Sequence, residues 1–313
     1  MPPSHALLAL AVVAVWGTNF VVLARALAEL PPFAFAALRF LFSCVPWILV
    51  LPRLRVAWPK VAGFGLALGV GQFGLLFLAM HGRLSPGVAS VLVQAQVPLT
   101  VLLAAAVRRE RVPPIQYVAL AVACAGVGVI AWAAATTPGA AVTLAGVALA
   151  LGAAAAWAVA NVLVQSIGRV PVLSLMAWSS GFAVAPLVAL SWAFDPPGTM
   201  TRVWTHASAG AWAAVAWQVV ANMMFGYGAW NWLLARHPAS TVAPMALLVP
   251  VFGLGSAALL AGEALPPWKL AATALIVGGV ALNLWWLRRR ASAPPRSAPG
   301  LREERPPAGS PCR

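Results

Sequence analysis

Charge is scarce in this chain: 8% of its 313 residues are Asp, Glu, Lys or Arg, and the acids number only 6. With 62% of residues hydrophobic, a water-soluble fold of this size has too little polar surface to face solvent. Cysteine is scarce too. The 3 present, Cys44, Cys124 and Cys312, are scattered, which excludes a disulfide framework and metal-ligand spacing. The two inside apolar runs read as small buried hydrophobes. No G-x-x-x-x-G-K-[ST] loop occurs, so direct ATP coupling is not expected, and no cofactor is implied. His5, His81, His206 and His237 all fall at the ends of apolar runs, and no carboxylate pair lies inside one. That counts against an intramembrane enzyme. Met1 to His5 lacks Lys and Arg, and no small-residue cleavage site follows the first run, so this run is expected to be retained rather than removed as a signal.

What is present is a series of apolar stretches, each about the length needed to cross roughly 30 Å of hydrocarbon. They fall near 6–24, 33–51, 61–80, 86–107, 115–134, 142–164, 172–192, 210–233, 239–261 and 268–287. The reading is an all-α membrane protein of ten transmembrane helices, with the lipid bilayer as its main surroundings. The net charge of +14 does not point to nucleic acid, because Arg and Lys sit at span ends. A cytoplasmic N-terminus puts Arg53, Arg55, Lys60, Arg108, Arg109, Arg111, Arg169, Arg236 and Arg288 to Arg290 inside, leaving Arg25, Arg83, Arg202 and Lys269 outside. By the positive-inside rule both termini are expected in the cytoplasm. The stretch 288–313, rich in Pro, Arg and small residues, is expected to be a disordered basic tail.

The chain also looks duplicated. Glu110-Arg111-Val112-Pro113-Pro114 returns as Glu263-Ala264-Leu265-Pro266-Pro267, each copy closing a stretch with a mid-segment proline, Pro98 and Pro250. Trp16-Gly17-Thr18-Asn19 has a looser counterpart in Trp157 to Asn161, and Ala125-Gly126-Val127 matches Gly278-Gly279-Val280. Two five-span halves follow, 6–134 and 142–287. Five being odd, they are expected to be inverted across the bilayer, with Glu110 and Glu263 on opposite faces.

Polar groups inside the spans are where function is sought, since each costs free energy unless partnered or facing a wet cavity. Trp16 and Asn19 share a helix face, as do Trp157 and Asn161, and as do Gln218 and Asn222. These walls enclose a central site on one reading; on the other, the amides are interhelical hydrogen bonds. Pro98 frees the carbonyl of Gln94, so a bend is expected there, with Gln94 nearer the substrate than Gln96. Arg39 is the one basic residue well inside a span. It either snorkels outward or pairs with Glu29, or its guanidinium receives a substrate carboxylate. Glu110 and Glu263, each before a Pro-Pro pair, read as helix-boundary or gating groups in preference to proton carriers.

Trp16 to Val22, Leu38-Arg39-Phe40, Gln94-Ala95-Gln96 and the two Glu-x-x-Pro-Pro boundaries resemble the EamA family of the drug/metabolite transporter superfamily over residues 6 to 287. Further likeness lies in Gln72-Phe73, Ser90 to Gln96, Gly226-Tyr227-Gly228 and Val242 to Val251. The resemblance implies two inverted five-helix halves in a bacterial inner membrane and export of small metabolites, amino acids such as cysteine and O-acetylserine among them. The residues themselves suit a small zwitterion: Arg39 for a carboxylate, and amides with Trp16 or Trp157 for an ammonium. Export of organic cations is the alternative, weakened because span one offers Asn19 where a carboxylate counter-charge is wanted. A homodimer is compatible with the sequence and not required by it.

Overall fold

The computed structural model describes residues 1–109, 112–137, 141–237 and 239–291. Among them there is no strand, only an isolated bridge between Leu84 and Val142. Eight helical runs are long and apolar enough to cross a membrane: α1 (Pro3–Leu27), α2 (Pro32–Leu49), α3 (Trp58–Met80), α4 (Pro86–Arg108), α5 (Pro114–Thr136), α6 (Leu144–Ile167), α7 (Val172–Phe194) and, after two further helical segments, the run that begins at Pro267. The two intervening segments are α8 (209–236) and α9 (239–261), and the closing helix α10 spans Pro267–Ala291. A short helix, Thr199–His206, links α7 to α8.

The starts of these helices follow from local chemistry. Proline opens α1, α2, α3 and α4, where its missing N–H is not needed and its fixed φ already suits a helix. Thr143 and Ser208 cap α6 and α8, their hydroxyls accepting from Gly146 N at 3.0 Å and Ala211 N at 3.1 Å. Two helices close in the same way. Arg109 ends α4 in the left-handed region at φ 54°, and Gly262 ends α9 there at φ 64°, each directly before one of the duplicated glutamates. Glu110 itself lies outside the described residues, as do Arg111 and the chain beyond 291.

Besides α2, which ends in a 3-10 turn at Trp47–Leu49, four of the described helices are not regular throughout. α3 contains an eight-residue π-helical segment, Ala67–Gly74, and α8 contains another, Gln218–Phe225. α4 tightens to 3-10 geometry at Val93–Ala95, and α9 does so at Ala243–Leu248. The bend expected at Pro98 takes this form: the 3-10 turn includes Gln94, whose carbonyl loses its partner to the proline. Pro250 sits at the start of the regular helix Val249–Ala261, which follows the 3-10 segment.

Contacts at the helix ends sort into two groups. At one end His5 Nδ1 meets His237 Nε2 at 2.7 Å, Lys60 donates to Ser166 O at 2.8 Å, and Arg108 donates to Gln165 Oε1 at 2.7 Å. At the other, Arg25 donates to Leu260 O at 2.8 Å, and Ala34 N donates to Asp195 Oδ2 at 2.8 Å. The close of α4 and the close of α9 therefore lie at opposite ends of the bundle.

The main core is aromatic and aliphatic, with Phe35 and Phe77 stacked 5.0 Å apart between α2 and α3. Large apolar side chains also cover the outside: Leu259 is 87% exposed and Trp192 76%. Such a surface suits lipid. Close helix approach is set by small residues, as where Gly17 of α1 lies against Val249, Phe252 and Gly253 of α9 with no room for a Cβ.

Candidate functional site

A cavity of about 350 Å³ lies among the helices, within the size range of small-ligand sites at roughly 300–1,000 Å³. Its wall is built from the irregular segments. The π turn of α3 contributes Gln72 and Phe73, and that of α8 contributes Asn222; the 3-10 turn of α4 contributes Val93 and Gln94. A π segment re-aims side chains that a regular helix would point elsewhere, and such segments concentrate at functional sites. α1 adds Trp16 and Asn19, while α6 adds Trp157 and Asn161. Among the described residues no Asp, Glu, Lys or Arg lines the cavity.

The amides form two connected groups. Gln218 Nε2 donates to Asn19 Oδ1 at 2.5 Å, and Asn222 Nδ2 donates to Gln218 Oε1 at 3.3 Å. Gln218 is fully buried and holds two cavity-facing asparagines from different helices. On the opposite wall Asn161 Nδ2 donates to Gln96 Oε1 at 2.8 Å and to Thr100 Oγ1 at 3.1 Å. Asn19 and Asn161 therefore each serve as an interhelical bond and a cavity wall at once, while Asn222 is tied in through Gln218 of its own helix, so the two readings of the amides coexist. Gln94 lines the cavity with no side-chain hydrogen bond among the described residues.

Trp16 is fixed by its indole N–H, which donates to Asn222 O at 3.2 Å, and by Tyr227 and Trp230, whose rings lie 5.5 Å and 5.2 Å away. Gly226 makes room for that indole, because a Cβ there would strike Trp16 Nε1. Trp16, Tyr227 and Trp230 all belong to the cavity wall.

Arg39 stands apart from the lining. It is 2% exposed, so it does not snorkel. Nor does it pair with Glu29, whose carboxylate is taken by Ser208 N and Oγ, both at 2.6 Å. Its guanidinium carbon instead lies 3.4 Å from the centre of the Phe73 ring and 5.0 Å from that of Phe40. Nε and Nη1 have no hydrogen-bond partner among the described residues. A desolvated cation–π contact is worth about 2 kcal/mol, against about 3–5 kcal/mol lost when a buried charge is left without its partner.

Glu263 is also away from the cavity. Ser85 Oγ donates to Oε1 at 2.5 Å, Gly87 N donates to Oε2 at 3.0 Å, and Lys269 Nζ lies 2.6 Å from Oε1. The carboxylate thus caps the start of α4 in the other half of the chain, whereas the Pro-Pro pair beside it pointed to a cap on the helix that follows. Every lone-pair direction used here faces a donor, which suits a structural clasp.

Gln72, Phe73 and Tyr227 complete the lining and were not singled out as ligands from the sequence, whereas Gln218, expected with Asn222 as a wall, holds the asparagines without lining the cavity itself. Gln72 and Gln218 were legible as amides in apolar runs. Their convergence was not, since it depends on π turns that no residue pattern announces.

Apolar helices packed around an uncharged, ligand-sized cavity, with helix breaks facing it, define a multi-pass membrane transporter. The chain belongs to the EamA-like transporter family, which matches residues 3–132 and 144–285. It is 36% identical over 290 residues to a probable amino-acid metabolite efflux pump of Salmonella typhimurium, covering 91% of this chain and 96% of that one. A probable amino-acid metabolite efflux pump of Escherichia coli is 35% identical over 294 residues, covering 93% and 98%. A solved crystal structure shares the fold at 22% identity and a TM-score of 0.62, covering 92% of this chain and all of its own.

Proposed function

We propose that this protein is a secondary transporter of the bacterial inner membrane that exports small amino-acid metabolites, cysteine and O-acetylserine among them, by alternating access. The observation that carries this reading is the cavity. It is uncharged at its wall and studded with amides and indoles, which suits a zwitterion better than an ion of one sign. The names of the two relatives support the substrate class.

Ten membrane crossings are counted by adding α8 and α9 to the eight long apolar runs. The family match in two segments, the paired π and 3-10 segments, and the left-handed closures before both glutamates support a duplicated architecture. Opposite placement of the ends of α4 and α9 supports inversion of the halves. On this reading the halves rock about the cavity, the irregular segments supply the bending, and both termini face the cytoplasm. Asn19, Asn161, Asn222, Gln94, Trp16 and Trp157 contact the substrate, and no nucleotide is consumed.

The test is uptake into inside-out vesicles of labelled cysteine, O-acetylserine and a panel of other amino acids and organic cations, with and without a pH gradient. Accumulation of an amino acid is the expected result. Movement of cations alone would replace this reading with the organic-cation exporter, and a pH-gradient dependence would assign proton exchange.

A further inference from the structure

Among the described residues nothing of opposite charge balances the buried guanidinium of Arg39. The acids described are engaged elsewhere: Glu29 with Ser208, Asp195 with Ala34 N at the start of α2, and Glu263 with Ser85, Gly87 and Lys269. The only ion pair among the described residues is Lys269 with Glu263, far along the chain. What lies against Arg39 is the ring of Phe73, a residue that also lines the cavity. A cation is thus held one side chain behind a cavity that contains no charge.

Two further observations make the screen a movable one. Phe73 belongs to the π-helical segment Ala67–Gly74, so return of that segment to α-helical register turns the side chains beyond it by about 100° per residue shifted. Beside Phe73, the carbonyl oxygen Oε1 of Gln72 is buried and without a hydrogen-bond partner among the described residues, although the side chain reaches the cavity. An acceptor for an ammonium and a donor for a carboxylate therefore both adjoin Phe73, one through the chain and one through the ring.

We propose that Arg39 is the carboxylate receptor of the transport cycle, screened by Phe73 in this conformation and uncovered when the π-helical turn of α3 changes register. The ligand it takes is a small amphiphile with a free carboxylate, its ammonium received by Gln72 and the neighbouring amides. This rests on the amino-acid reading of the cavity and adds the group that selects for the carboxylate.

The experiment measures binding of labelled O-acetylserine, and of its carboxamide analogue, which keeps the ammonium and lacks the carboxylate, to the purified full-length protein. Arg39→Gln is expected to weaken O-acetylserine about tenfold or more, as loss of a charge-assisted hydrogen bond does, while changing the carboxamide less than about threefold. Arg39→Lys should recover part of the loss only, since the planar fork is gone. Phe73→Ala keeps the arginine and removes the screen. In it, modification of Arg39 by phenylglyoxal, read by peptide mass mapping, is expected to quicken about tenfold, and O-acetylserine but not the carboxamide is expected to slow it. Equal loss of both probes in Arg39→Gln, or an Arg39 that stays unreactive in Phe73→Ala, would overturn the proposal. Wild-type protein that binds neither probe would sink the amino-acid reading and this inference with it, whereas binding indifferent to Arg39 would sink the inference alone.

Discussion

Gln218 does the most with the least exposure. It is fully buried, takes a hydrogen bond from Asn222, and gives one to Asn19, so its amide fixes the orientation of two asparagines that face the cavity. Gln218→Leu keeps much of the volume and removes both bonds. It is expected to destabilise the protein by about 1–3 kcal/mol, the cost of unsatisfied buried amides, seen as a lower melting temperature in detergent, together with weaker binding of O-acetylserine. The i, i+4 spacing to Asn222 was visible in the sequence; the bond to Asn19 was not, because it joins helices far apart along the chain. Arg39 shows the same limit. Its place inside a span was legible, and so was the choice between pairing and a substrate, but that an aromatic ring intervenes is a fact of packing that only three-dimensional proximity reveals.

Among the elements, the helix ends carry clasps between distant parts of the chain. Glu263 and Lys269 bind the end of α9 and the start of α10 to the start of α4. Both side chains are nearly buried, so Lys269→Met leaves a carboxylate with only neutral donors and is expected to cost about 3 kcal/mol, checked by thermal unfolding, while Glu263→Gln with Lys269→Met together should cost less. Glu29 forms a second clasp, on the turn between α1 and α2. The hydroxyl and then the backbone N–H of Ser208 hold its carboxyl below the ordinary carboxylate value of 4.5. A carboxylate whose pKa is depressed by folding contributes stability above its unfolded value and loses it as pH falls through its folded value. The melting temperatures of wild type and Glu29→Gln should therefore differ at pH 7 and converge as the pH is lowered beyond about 4.5. An undiminished gap in acid would show that the clasp does not depend on the charge. The helix starts were readable from Pro and Ser or Thr positions, since capping chemistry is local. The π turns were not, because an extra residue in a helical turn is set by the neighbours it packs against.

At the scale of the whole molecule, the apolar exterior, the central cavity and the family all agree on a membrane carrier. The boundary motif present twice led to the expectation of duplication, and the charge asymmetry of the loops to an expected orientation. A cysteine-free background carrying one introduced cysteine near Arg108 and another near Glu263 tests both. The first should react with an impermeant thiol reagent from the cytoplasm and the second from outside, and reaction from the same side would refute inverted halves.

The central claim is that the cavity bounded by the amides and indoles is the place where substrate passes. Counterflow of labelled O-acetylserine in proteoliposomes, wild type against Ala246→Phe, tests it most directly, because Ala246 lines the cavity and a phenyl ring there narrows it. The account predicts exchange by wild type and near-complete loss in the variant at an unchanged melting temperature; exchange at the wild-type rate in a folded Ala246→Phe protein would contradict it.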